Sequence, residues 1–229
     1  MATIKEIIYT IRALRYDSHT PDDFAISDAR LQHFVDVERS FLLKQYLDKD
    51  RIVPKQVEQV IECLPLECID ISSCIDCGFA AEEYILRTPE LPKPINYNFA
   101  TDSAAELFTG ISTPVGTPIE FTSQAIAYWG AHSKYSKKMP RAYYKNNRLY
   151  FTNVGDLKFV QIKGVFENPA KLAEFNTCTG EVCFDEETTQ YPILDYHLSL
   201  IYSTIMQKYI IPAIQMPHDK KNNAAEIER

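Results

Sequence analysis

The chain has 229 residues, 45% of them apolar and 24% charged, which is enough to bury a substantial core in one large domain. Seven glycines leave few loops for cradling phosphate, whereas 14 tyrosines and 12 phenylalanines suit broad, half-polar contact surfaces. A net charge of −7 argues against a surface built wholly for nucleic acid, and no run approaches the roughly 18 apolar residues of a membrane span.

The N-terminus, MATIKEIIYTIRALRY, lacks the apolar core and small-residue cleavage site of a secretory signal, which points to synthesis in a reducing cytoplasm. Ile4, Ile7, Ile8, Ile11 and Leu14 recur at helical spacing and predict a first helix over 3–15. The loop chemistry of YDSHTPDDF ends it. Ser27 or Asp28 then caps a second helix running to about Leu47. Leu31, Phe34, Val35, Phe41, Leu42 and Leu43 give it one broad buried stripe, with Arg30, Asp36, Glu38 and Lys44 outside. Pro54 marks the start of a short helix through Gln56 to Val60.

Prolines at 65, 89, 92, 94, 114 and 118 disfavour helix across most of 64–120. Val, Ile, Phe, Tyr and Thr dominate from Ile119 to Val165 and predict strands. AYYKNNRLYFT reads as a hairpin around Asn146-Asn147, and LKFVQIKGVF as a further strand ending at Glu167-Asn168-Pro169. A last helix begins after Pro192, with Leu194, Leu198, Ile201 and Ile205 on one face, and stops before Pro212. The fold class is α+β: helices from both chain ends packed on a central, irregular antiparallel β unit. Residues 1–212 form a single domain, helical over 1–62, β-rich over 63–170 and helical again over about 192–210, and 213–229 form an extended polar tail.

Charge is segregated. From Pro54 to Pro92, Glu58, Glu62, Glu67, Asp70, Asp76, Glu82, Glu83 and Glu90 against Lys55 and Arg87 give a net −6. From Ala131 to Arg148, Lys134, Lys137, Lys138, Arg141, Lys145 and Arg148 face no acid, a net +6. Interleaved with Tyr135, Tyr143 and Tyr144, that basic stretch fits either a groove for single-stranded nucleic acid or a solvated hairpin. In a closed ring, the basic block of one subunit could face the acidic block of the next.

Four of the six cysteines lie in CLPLECIDISSCIDCG: Cys63, Cys68, Cys74 and Cys77, with Cys178 and Cys183 far downstream. Only Cys74/Cys77 has a zinc-ribbon spacing, Cys63/Cys68 lies too close to it, and Cys74/Cys77 with Cys178/Cys183 stays open as a ligand set. The C-x-x-C lacks the strand-to-helix setting of a redox motif, and a reducing compartment disfavours disulfides. Small buried residues are the simplest reading. The histidines at 19, 33, 132, 197 and 218 have no ligand spacing, with His33 and His197 reading as surface or boundary residues. Asp22-Asp23, Glu82-Glu83 and Glu186-Glu187 are adjacent acids of a solvated face. Nucleophile-elbow, Walker and dinucleotide-binding motifs are absent from the sequence, so no catalytic, cofactor-binding or metal-ligating residue is assigned.

Several ordered segments are similar to those of a known family: ISDARLQHFVDVERSFLLKQYLDKDR (26–51), VEQVIECLPLECIDISSC (57–74), YSKKMPRAYYKNNRLYFTN (135–153), IKGVFENP (162–169) and CFDEETTQYPI (183–193). Together they resemble structural proteins of the head-to-tail connector of crAss-like bacteriophages. The resemblance implies a virion protein of the tail or neck, made in the bacterial host cytoplasm. It implies a non-enzymatic subunit of a ring, in twelve copies, stacked below the portal with other ring proteins. DNA would pass through the channel without sequence-specific binding, with no membrane, small-molecule substrate or cofactor involved. The alternative from the residues alone is a small nucleic-acid-binding module using cysteine-held zinc or the basic hairpin.

Overall fold

The computed structural model describes residues 2–16, 26–50, 52–70, 84–96, 108–132, 134–135 and 139–212. The expected tail over 213–229 lies outside them, as do His19, His218, Asp22-Asp23, Cys74, Cys77, Asp76, Glu82-Glu83, Lys137 and Lys138.

Helix α1 spans Ile4–Tyr16 and α2 spans Asp28–Asp50, close to the sequence expectations. The Ser27 carbonyl accepts from the amides of Arg30 and Leu31, which places Ser27 at the helix start. Instead of a short helix, Pro54 opens a single turn, and strand β1 (Gln59–Pro65) follows at once. The reason is burial: Val57, Ile61 and Leu64 are fully buried, and the β-branched run pairs with a partner strand in place of coiling.

Strands β2 (Glu67–Asp70), β3 (Tyr84–Arg87), β4 (Phe108–Ser112) and β5 (Glu120–Phe121) come next. Helix α3 (Gln124–His132) interrupts the stretch expected to be all strand. Its Gln and three Ala suit a helix, and Ala127 packs on the rings of Tyr143 and Tyr150, so tertiary packing decides where aromatic content suggested β. The expected hairpin is β6 (Arg141–Lys145) with β7 (Arg148–Thr152), turned by Asn146 and Asn147 at φ 51° and 58°. Strand β8 covers Phe159–Gly164, and a 3-10 turn follows over Pro169–Glu174.

The strands form two sheets, one ordered β1-β8-β4 and one ordered β2-β3-β7-β6-β5, antiparallel except for the short β5–β6 pair. Ile61, Val160 and Ile162 of the first sheet share a core with Ala142, Leu149 and Phe151 of the second. Ile7 and Ile11 of α1, Leu31 and Val35 of α2, and Ile201 and Ile205 of helix α4 (Asp195–Ile205) complete it. Each such fully buried aliphatic side chain contributes roughly 1.5–3 kcal/mol. Helices from both chain ends thus pack on a β unit, as an α+β fold requires.

The last helix does not stop before Pro212. After α4 it widens into a π turn over Met206–Ile210 and remains helical through Ile211 and Pro212. In a regular α-helix the Pro212 ring would meet the Lys208 carbonyl, and the wider turn makes room for it.

The cysteine reading is corrected too. Cys63 of β1 and Cys178, with Cα atoms 5.0 Å apart, form a disulfide, while Cys68 is exposed and Cys183 half-buried. Spacing could not reveal a partner 115 residues away. This bond engages Cys178 and so removes it from the open zinc set with Cys74 and Cys77. The loop it closes is worth about 4–5 kcal/mol on the chain-entropy account. Cys63→Ser, or excess reductant, should therefore lower the urea midpoint. Identical midpoints with and without dithiothreitol would show that the bond contributes nothing.

Candidate assembly surface

Helix α2 keeps most of the expected stripe, with Leu31, Val35 and Leu43 buried, but departs from it in its middle turns. Phe41, placed in the buried stripe by sequence, is 53% exposed, and Val37 beside it is also exposed. Asp36 and Glu38, expected outside, are buried, and Arg39 has no exposure at all. A helix with charge inside and large apolar groups outside breaks the usual rule, and such breaks mark constrained or functional positions.

The buried charges are partnered. Arg39 donates from Nε to the Pro192 carbonyl at 2.7 Å and from Nη1 to the Phe166 carbonyl at 2.8 Å, with its guanidinium 5.5 Å from the Tyr191 ring centre. Both carbonyls lie in irregular backbone next to prolines, where no strand or helix partner satisfies them. Ser40 donates to the Glu167 carbonyl at 3.0 Å, and Gln59 accepts the Phe166 amide at 3.1 Å. The Tyr191 hydroxyl donates to Asp36 at 2.5 Å. Burial pushes the Asp36 carboxyl up to about 6, against the opposing pull of the Tyr191 hydrogen bond and the Arg39 charge. Burial likewise pushes the Tyr191 hydroxyl up and the Arg39 guanidinium down. Further along α2, Glu38 accepts from Lys208 at 3.0 Å and from the Tyr209 hydroxyl at 2.9 Å. The Tyr209 ring stacks on Phe34 at 4.1 Å, so the π turn faces α2.

Outside this lock two apolar faces stand open. The first carries Val37 and Phe41 of α2 with Tyr196 and Leu200 of α4 and Ile211 beyond it, all at least 40% exposed. Lys208 reaches over the Phe41 ring at 5.9 Å. The second follows α3: Ile126, Trp129, Tyr135 and Met139 are exposed, Trp129 by 71%. Sequence reasoning missed both. Trp129 carries a signal only once α3 is known to be helical, because Ala127 then points inward and Trp129 out.

The charge blocks divide. In the basic block Arg141 is buried, its Nε donating to Glu120 at 2.8 Å under Gly130, where a Cβ would collide with the guanidinium. Arg148 donates to the Thr88 carbonyl at 3.2 Å, and Tyr143 is buried against Tyr150. Lys145 is half-buried, and Lys134 and Tyr135 are exposed after α3. In the acidic block Glu58 bonds Thr109 and Glu67 pairs with Arg87, while Glu62 and Glu90 are exposed. His33 is exposed, whereas His197, expected at the surface or its boundary, is 8% exposed between Tyr46 and Tyr196, and burial lowers its pKa. Glu187 pairs with Lys5, and Glu186 accepts from Gln32. Among the described residues no group of three or more His, Cys, Asp or Glu could hold a metal ion, and no helix is long and apolar enough to cross a membrane.

A family model described as phage tail ring protein 2 matches residues 6–227 of the chain. None of the curated proteins compared with the chain matches it.

Two stability measurements test the lock. Arg39→Lys keeps a charge but lacks the planar fork for two carbonyls, and should cost about 2–4 kcal/mol in urea denaturation. A cost below about 0.5 kcal/mol would mean the carbonyls find other donors. The second uses pH. Asp36 titrates near 6 in the fold against 3.8 ordinarily, so the fold holds the extra proton between those values. Stability from this group is complete below about pH 4 and is lost as pH rises through 6, by about 3 kcal/mol. The stability difference between the wild type and Asp36→Asn should change by that amount between pH 4 and 7.5; a constant difference would contradict the burial of an ionisable Asp36.

Proposed function

The chain belongs to the phage tail ring protein 2 family of crAss-like phages, a structural component of the virion tail, and from that membership we propose that it builds one ring of the head-to-tail connector below the portal. On this reading twelve copies close around the DNA channel, touching the portal and neighbouring ring proteins and doing no chemistry. The described part of 1–212 acts as one domain, since α1, α2, α4 and both sheets share a core.

The observation that carries the reading is the exposure of Val37 and Phe41 on α2 beside its buried charges, together with the bare α3 face. A chain that buries Arg39, Asp36 and Glu38 yet exposes Phe41, Trp129, Tyr196 and Leu200 is shaped for neighbours. Stacked rings need two kinds of contact, lateral and axial, and two separate apolar faces provide for both. A net charge of −7 suits a channel wall that lets DNA slide without holding it.

The nucleic-acid module draws no comparable support. Arg141 and Arg148 of the basic hairpin are engaged within the fold, and Cys178 is bonded to Cys63.

Mass photometry and negative-stain imaging of the purified full chain test the proposal. The expected result is a closed ring of twelve subunits, or a monomer that joins purified portal particles in that number. A protein that stays monomeric alone and ignores portal particles would contradict it.

A further inference from the structure

A groove of about 690 Å³ lies between Pro65 at the end of β1, the Pro89-Glu90 turn and the segment Glu174–Cys178. Phe159 and Phe175 supply apolar surface, Glu90 and Glu174 supply charge, no basic residue lines it, and the Cys63–Cys178 bond fixes one wall. Its volume falls within the roughly 300–1,000 Å³ of clefts that hold small ligands or anchoring side chains. Phe159 is 44% exposed there, and both carboxylates are open to solvent.

The α3 face is opposite to it in charge and carries the large aromatic group that such a groove accepts. Trp129, the chain's one tryptophan, projects beside Ile126 from a helix anchored by Ala127 on the second sheet. Exposed Lys134 and Tyr135 follow directly, and no acid occurs between Ala131 and Arg148. No residue belongs to both surfaces. A closed ring requires that property: each subunit presents one patch forward and a different, complementary patch backward.

We propose that in the ring the Trp129–Tyr135 face of one subunit docks into the Glu90/Glu174 groove of the next copy. The inference rests on the ring reading and names the lateral contact that reading needs. Trp129 is the aromatic anchor set against Phe159 and Phe175, and Lys134 meets the two carboxylates at the rim. The α2/α4 face suits this role less well, because Lys208 beside Phe41 would oppose Lys134. Of the two charge blocks this contact keeps Glu90 and Lys134 and adds Glu174 from outside them, while Arg141, committed to Glu120, leaves the pairing.

Charge-swap complementation tests the contact in the full-length protein. Trp129→Ala should weaken ring assembly at least ~30-fold, as loss of a central aromatic anchor does. E90K/E174K and K134E/Y135E, all at solvent-exposed positions, should each fail to close a ring alone. Mixed one to one they should restore rings of alternating subunits, because the reversed groove of one accepts the reversed face of the other. Complementation also proves that both variants are folded. Rings from either double variant alone, or none from the mixture while the wild type forms them, overturns this contact and leaves the ring reading standing. Variants that form normal rings but no longer join portal particles would reassign the α3 face to another protein and overturn it equally. A wild type without rings under any condition removes the ring reading and this contact together.

Discussion

The guanidinium of Arg39 holds the carbonyls of Phe166 and Pro192, groups 127 and 153 residues away along the chain. Neither carbonyl belongs to a helix or a continuous ladder: Phe166 forms only an isolated bridge with Pro94, and Pro192 precedes the start of α4. Buried without a donor, each would cost about 1–3 kcal/mol. The same side chain has its own charge to satisfy, and the Tyr191 ring and the Asp36 carboxylate beside it serve that need. Removing any one member leaves a buried polar group behind, so the lock forms as a unit.

Three separated segments become one structure through this contact. Helix α2 supplies Asp36, Glu38, Arg39 and Ser40; the turn after β8 supplies Phe166 and Glu167; the entry to α4 supplies Tyr191 and Pro192. Around the turn, Ile95 donates to the Val165 carbonyl and Glu167 to the Lys93 carbonyl, so the backbone of this irregular stretch is tied to the segment before it. VERS, GVFENP and YPI, which meet here, are parts of three of the five segments that carry the family resemblance. Their pattern looked arbitrary along the chain because its logic is three-dimensional. By absorbing three charges into its inner side, α2 turns Val37 and Phe41 outward, and packing of the interior thereby sets part of the surface that neighbours meet.

Local signals were legible in the sequence wherever short-range chemistry decides. The Asn146-Asn147 turn, the α1 stripe and the strand from Phe159 needed only a period or a positive φ. The buried charges of α2 are not legible in the sequence, since Asp36 and Glu38 look solvated until Tyr191, Lys208 and Tyr209 are known to stand opposite. Helix α3 hid among aromatics whose β preference is a statement about packing, and here the packing is against Ala127. The candidate surface was half visible: the charge blocks were seen, but Arg141 was counted as surface, and Cys63 and Cys178 gave no sign of each other. Long-range pairings of this kind cannot be read from spacing.

The two irregular segments are held by α2 through Arg39, while the β6–β7 hairpin is held by its own pairing. Native-state amide hydrogen exchange on Arg39→Lys measures that division directly. Protection should fall together in α2, around Phe166 and around Ile193, with Tyr143 and Tyr150 unchanged. Loss confined to α2, or an equal loss across the hairpin, would contradict it.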